Sequence, residues 1–245
     1  MPTVAIITAG GRGNRMGQDL PKQFLPIEDK PAIAYTMESL QKSPLVDAII
    51  VVCIAGWETV VQAYANQFGI TKLVGICEGG ATNHESIENG TRLAAQKFPP
   101  DTLILVHDAA RPNLPQFVIE DSIRVAQRYG NSVPVIPTAE VLLESEDGTT
   151  SSHVIERSTA KRTQTPQGFI LSELQEMQAE VDKRGIQPKA PCEMVVLCGK
   201  TMHLSLGSEK NIKLTTVEDI DIFRALLHAQ RSPWLKQSAP DISSH

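Results

Sequence analysis

Five short runs rich in β-branched and aliphatic residues recur along this chain, at Val4 to Thr8, Ala48 to Cys53, Leu73 to Cys77, Leu103 to His107 and Ser132 to Ile136. Between them, Pro31 to Gln41, Trp57 to Gln67, Glu85 to Lys97 and Gln116 to Arg128 carry apolar residues at helical spacing. Strands that alternate with helices make βαβ units, because two parallel strands need a crossover long enough to hold a helix. The pattern predicts an α/β fold: a mostly parallel sheet flanked by helices. A chain of 245 residues suffices for one such domain with a full core, which we place at 1–232. The Ser/Pro-bearing stretch 233–245 reads as a flexible tail.

One segment breaks the pattern. Residues 138–162 are polar and acidic, with Glu-Asp-Gly-Thr-Thr at 146–150 as a hairpin turn. Such a segment cannot build a core. It reads as a β-arm that projects from the domain and, because two strands alone are marginal in water, packs on a second subunit. A solvated meander on its own subunit fits the same pattern. Helical spacing returns at Leu171 to Arg184 and at Val217 to His228.

A formal charge of -5 gives no general attraction to nucleic acid or to an anionic membrane, so any phosphate chemistry must rest on a local group of cations. No run approaches the length of a membrane helix and no signal peptide follows Met1, which points to the cytoplasm. The four cysteines form neither a CxxC pair nor a zinc-spaced set with histidine, and we read them as apolar fillers.

The cations are found after the first strand. It runs into Thr8-Ala-Gly-Gly-Arg-Gly-Asn-Arg-Met16, with Pro21-Lys22-Gln23 close behind. In open α/β sheets ligands lie beyond the carboxyl ends of the strands, where this loop is placed. Gly10, Gly11 and Gly13 let backbone amides approach phosphate oxygens, and Arg15 and Lys22 bring positive charge. The loop is not GxGxxG, since that pattern demands glycine where Met16 stands, and it lacks the GK[ST] of a P-loop. Without the first of these, and without its ribose-binding acid, a dinucleotide-dependent oxidoreductase is excluded. A glycine-rich surface turn with solvated cations is the plainer reading. A second strand, Leu103-Ile-Leu-Val-His-Asp108, delivers Asp108 to the same carboxyl edge. A lone carboxylate there can serve as an oxygen ligand for magnesium, or else as a turn cap paired with Arg111. His107 reads as a packed strand residue.

With these segments in place, the chain resembles the 2-C-methyl-D-erythritol 4-phosphate cytidylyltransferase family and its sister, the ribitol 5-phosphate cytidylyltransferases. The matches run in order through Ala9 to Met16, Pro21 to Gln23, Gly79-Gly80 with Glu85-Ser86, Val106 to Pro112, Ile155-Glu-Arg157, Gln164 to Gln167 and Asn211-Ile-Lys-Leu-Thr-Thr216. The resemblance implies a Rossmann-like, GT-A-like nucleotidyltransferase domain, a homodimer joined through the arm, and Mg2+-dependent transfer of CMP from CTP to a small polyol phosphate with release of pyrophosphate. Its first acceptor is 2-C-methyl-D-erythritol 4-phosphate, a step of non-mevalonate isoprenoid synthesis. Ribitol 5-phosphate, for surface polymers, is the alternative, and a nucleotide-binding homologue without turnover is a third reading.

By the same resemblance, Ala9, Gly10, Gly11, Gly13 and Arg15 line the CTP phosphates and ribose, and Lys22 lies over the triphosphate. Gly80 and Ser86 meet the cytosine, Asp108 lies by the metal, and Lys213 holds the transferring phosphate. Arg157 and Thr165 reach across the dimer to the acceptor phosphate. The chain departs from the family at Asn83, where an arginine is usual, at Lys189-Ala-Pro-Cys192, where an acidic segment is usual, and at Val141 and Leu143 on the arm.

Overall fold

The structure, a computed structural model, describes residues 1–11 and 20–231. Strand β1 (Thr3–Ala9) leads to a short 3-10 turn over Lys22–Phe24 and a small ladder of β2 (Pro26–Ile27) with β3 (Lys30–Pro31). There follow α1 (Ala32–Lys42), β4 (Ala48–Cys53), α2 (Glu58–Gln67), β5 (Leu73–Glu78), α3 (Asn83–Lys97), β6 (Leu103–Asp108) and α4 (Gln116–Tyr129). Next come β7 (Asn131–Pro137), β8 (Leu142–Glu144), β9 (His153–Ile155), β10 (Lys161–Thr163) and β11 (Gln167–Ile170). The described chain ends with α5 (Leu171–Lys183), α6 (Pro191–Leu197), β12 (Leu204–Leu206) and α7 (Val217–Arg231).

The main sheet runs β10-β7-β11-β6-β1-β4-β5, with β12 beside β7. Its half from β6 to β5 is parallel, and β11 enters antiparallel between β6 and β7. Alternate residues of the central strands feed two cores. Ala5, Ile7, Ile49, Val51, Leu103 and Leu105 pack under α1, α2 and α4, while Val4, Ile6, Ile50, Val52, Ile104 and Val106 pack under α3, α5 and α6. That period of two on each face is why the strands read as nearly unbroken apolar runs, since both sides are covered.

From β1 the chain steps to β4 and β5 on one side, then returns to β6 on the other. The reversal lies between β1 and β6, where Thr8 pairs with Asp108. The carboxyl ends of two strands that diverge at such a point leave a crevice between their loops.

A third core holds α7 to this rim. Phe223 and Leu214 are buried with Ala32, Tyr35 and Ala110, and the Tyr35 and Phe223 rings meet edge to face at 5.2 Å. Burying side chains of that size contributes about 1.5–3 kcal/mol each. The Leu214 amide also donates to the Ala110 carbonyl at 2.8 Å, so the segment that carries Lys213 is fastened to the loop after β6.

The segment 138–162 does project, but not to its last residue: β8 and β9 pair with each other, whereas β10 rejoins the main sheet against β7. The expected turn is present, with the Asp147 carboxylate accepting from the amides of Thr149 and Thr150. The four cysteines are free. Among the described residues no helix is long and apolar enough to cross a membrane. The tail beyond 232 lies outside the described residues.

Candidate active site

The glycine-rich loop leaves β1 under control of a side chain to which sequence reasoning assigns no role. Gln23, buried, donates its amide to the carbonyls of Ala9 and Gly11, the latter at 3.0 Å. Gly10 also packs closely, since a Cβ there would stand 3.2 Å from Ser86 Oγ and would require that hydroxyl to shift by a few tenths of an ångström. Ser86 joins the loops: its hydroxyl accepts from the Gly80 amide at 3.0 Å and donates to the Thr82 carbonyl at 2.8 Å.

Helix α3 starts at this junction. Thr82 Oγ1 accepts from the Glu85 amide at 3.1 Å, while the Glu85 carboxylate accepts from the Ala81 amide at 2.7 Å. The first bond satisfies an amide that the opening turn leaves without a helical partner, and the second ties the residue before the cap to that turn. Together they also fix an end of positive partial charge beside the loops.

Asp108 closes the other side. Lys213 Nζ lies 3.0 Å and Arg111 Nε 3.2 Å from its Oδ2. Burial alone would push this carboxyl up, but Lys213 and Arg111 outweigh it and hold it down at about 2. Asp108 therefore enters any chemistry near neutral pH as a carboxylate. The Arg111 pairing expected of Asp108 is present, and the residue also lines the rim.

Beneath it lies a chain of hydrogen bonds. The Asp108 amide donates to Thr165 Oγ1 at 3.2 Å, Thr165 Oγ1 lies 2.9 Å from His107 Nδ1, and His107 Nε2 lies 3.2 Å from the Arg111 carbonyl. A carbonyl only accepts, so Nε2 carries the proton and Nδ1 accepts from Thr165. Burial pushes the His107 ring down to about 4, which keeps it neutral and this direction of bonding intact. Asn211 completes the support, donating to the Thr165 carbonyl at 2.8 Å while its own carbonyl accepts from Arg111 Nη1 at 2.7 Å.

Ala9, Gly10, Gly11, Lys22, Gly80, Ser86, Asp108 and Lys213 line one cavity of about 160 Å3. Thr82, Asn83, Ala109 and Ala110 line it too, and sequence reasoning assigns no role to Thr82 or the two alanines. Gly13 and Arg15 lie outside the described residues. Arg157 is exposed on the arm, away from this cavity, with Nη1 donating to the Ala139 carbonyl at 3.2 Å. Thr165 is buried under Asp108. Asn83 Nδ2 donates to the Lys189 carbonyl at 3.4 Å, so two departures from the family pattern touch each other beside the cavity.

Two basic residues, a helix end and loop amides around one ionised carboxylate suit a polyanion that carries a divalent cation. The donor chemistry fits magnesium, a hard ion that takes one or two carboxylates plus phosphate oxygens and water, and Asp108 is the residue that would hold it.

Residues 3–229 match the family model described as 2-C-methyl-D-erythritol 4-phosphate cytidylyltransferase. The chain is 36% identical over 226 residues to a ribitol-5-phosphate cytidylyltransferase of Lacticaseibacillus paracasei, covering 91% of this chain and 97% of that one. It is 33% identical over 225 residues to a 2-C-methyl-D-erythritol 4-phosphate cytidylyltransferase of Clostridium acetobutylicum, covering 91% and 96%. The crystal structure of 2-C-methyl-D-erythritol 4-phosphate cytidylyltransferase from Thermus thermophilus superimposes with a TM-score of 0.75 at 27% identity, covering 93% of this chain and all of that one.

Proposed function

This chain belongs to the 2-C-methyl-D-erythritol 4-phosphate cytidylyltransferase family and is a nucleotidyltransferase, and from that premise we propose that it transfers CMP from CTP to ribitol 5-phosphate. The observation that carries nucleotidyl transfer is the cavity at the β1/β6 reversal, into which Lys22, Lys213, Asp108 and the loop glycines converge. The ribitol acceptor is supported by the likeness to the Lacticaseibacillus enzyme. The methylerythritol acceptor is the second reading, supported by the family model and the Clostridium relative.

The chain's own residues align two anions. Loop amides and Lys22 receive the triphosphate, and the Gly80 and Ser86 side of the cavity receives the base. Lys213 stands by Asp108, where it can meet the phosphate under attack. The nucleophile is already a phosphate oxygen, so no strong general base is required. Catalysis then rests on in-line positioning and on cations set where charge develops on the α-phosphate and the leaving pyrophosphate. A magnesium ion on Asp108 would supply further charge neutralisation on those oxygens.

Pyrophosphate release from CTP, measured with each acceptor separately, tests the reading. We expect a kcat/KM at least about tenfold higher with ribitol 5-phosphate, a margin of the size one well-placed polar contact supplies. The reverse order would move the assignment to 2-C-methyl-D-erythritol 4-phosphate, and no release with either would remove both. EDTA should stop the reaction and added Mg2+ restore it.

A further inference from the structure

On the face of α3 turned away from the glycine-rich loop, three side chains converge that the transfer reaction does not use. His84 and Glu88 stand one helical turn apart, and Asp182 reaches them from α5. His84 Nε2 lies 3.1 Å from Asp182 Oδ1, and one nitrogen and two carboxylate oxygens, one from each residue, all lie within 4.8 Å of one another. The imidazole is 7% exposed, whereas the Asp182 side chain is 49% exposed, so the group has a buried floor and an open mouth.

We propose that His84, Glu88 and Asp182 form a binding site for a divalent first-row transition ion, zinc foremost. A His–Asp ion pair by itself explains only part of the arrangement, because it leaves the Glu88 carboxylate packed against the same Asp182. Arg92, on the same helix, directs its guanidinium to Asn89 Oδ1 at 3.0 Å. The Glu88 and Asp182 carboxylates offer their oxygens within the same 4.8 Å, a juxtaposition that a shared dication would satisfy. One imidazole and two carboxylates on two helices make a three-ligand set with a position left for water, the donor pattern that suits zinc better than magnesium. The ligands also join α5 to the first turn of α3, whose Asn83 and Ser86 line the active-site cavity. A bound ion would therefore brace the helix end that the transfer reading assigns to the nucleotide.

The test uses the full-length protein stripped of metal and titrated with Zn2+ alone by calorimetry, in the presence of excess Mg2+ to occupy the reaction's own cation site. We expect one Zn2+ per chain, with affinity at least about tenfold weaker in Asp182→Asn and in Glu88→Gln. Asp182 is exposed enough for its variant to fold, which far-ultraviolet circular dichroism would verify. Co2+ should give visible d–d absorption in the wild type that both variants weaken. Zn2+ binding equal in wild type and Asp182→Asn, or displaced by Mg2+, would overturn the proposal whatever the outcome of the transferase assay.

Discussion

His107 couples the stability of this rim to pH, and the sign follows from its burial. The folded ring sits at about 4 and an unfolded histidine near 6.5, so below pH 6.5 the unfolded chain takes up a proton that the folded chain refuses. Stability present above pH 6.5 is therefore lost as pH falls toward 4, by about 3 kcal/mol in all at ~1.4 kcal/mol per pH unit. Asp108 acts in a separate window. Its folded value of about 2 lies below the ordinary 3.8, so its contribution is complete above pH 3.8 and lost as pH drops through 2. Denaturant melts at a series of pH values should show the first loss in the wild type, and His107→Gln should flatten it. An unchanged slope in that variant would assign the loss to another group. Gly90 is a second residue with a definite consequence. A Cβ there would stand 2.6 Å from Ile6 Cγ2 and 2.8 Å from Val52 Cγ2, so α3 can lie close on β1 and β4 only because glycine interrupts its buried face. In Gly90→Ala, overpacking of about 1–3 kcal/mol opposes a helix-propensity gain of up to ~1 kcal/mol. We expect a net loss, read as a Tm lowered by roughly 2–8 °C.

At the scale of elements, the arm makes the sharpest demand. Val141, Leu143 and Val154 are 60% exposed or more, on a short hairpin too small to stand alone. An apolar surface on a marginal hairpin calls for a partner, which the family resemblance implies is a second copy of the chain; if so, the pairing can be broken by charge. Leu143→Lys with Val154→Lys should shift the protein to monomers in size-exclusion chromatography with light scattering, while the fold of the main domain persists. The same scale shows what can be read from sequence. β1, β4, β6 and β7 are legible because strands covered on both faces are continuous apolar runs bounded by polar turns, and β5, at the sheet edge and only half-buried, is legible from its short aliphatic run alone. β11 is not: in four residues it offers little alternation, and its Gly168 is dictated by neighbours, since a Cβ there would meet Ser132 Oγ at 2.6 Å. α6 escapes sequence reasoning although Pro191 stands in its first turn, a start signal that seven residues are too few to support with periodicity. At the site, the loop glycines and Lys22 are legible because chemistry restricts their residue types, whereas Lys213 enters only through the family resemblance. Gln23, Thr82 and Asn211 are not legible, because their roles consist of hydrogen bonds to backbone from 12 to 46 positions away in sequence, or of closing a helix end.

For the whole molecule, the question is whether one chain holds a complete site. Lys22, Asp108 and Lys213 line the cavity of their own chain, whereas Arg157 lies on the exposed arm outside it. If arms exchange across a two-fold axis, Arg157 serves the partner's cavity, and the two sets of residues can be separated by mutation. Lys213→Ala should lose turnover by roughly two to three orders of magnitude, as removal of a group acting on developing charge does. Arg157→Ala should chiefly raise the acceptor KM. Mixed and allowed to exchange subunits, the two variants form mixed dimers in about half of the population, and each mixed dimer contains one cavity with Lys213 and Arg157 both intact. About a quarter of the wild-type sites should then return, with a wild-type acceptor KM, although neither variant alone shows both properties. The recovery should depend on time and on subunit exchange, and should vanish when the Leu143→Lys and Val154→Lys changes are added to both chains. Activity that stays at the sum of the separate variants would place Arg157 outside the acceptor site, or inside the site of its own chain, and the arm would then be a structural extension with no part in binding the second substrate.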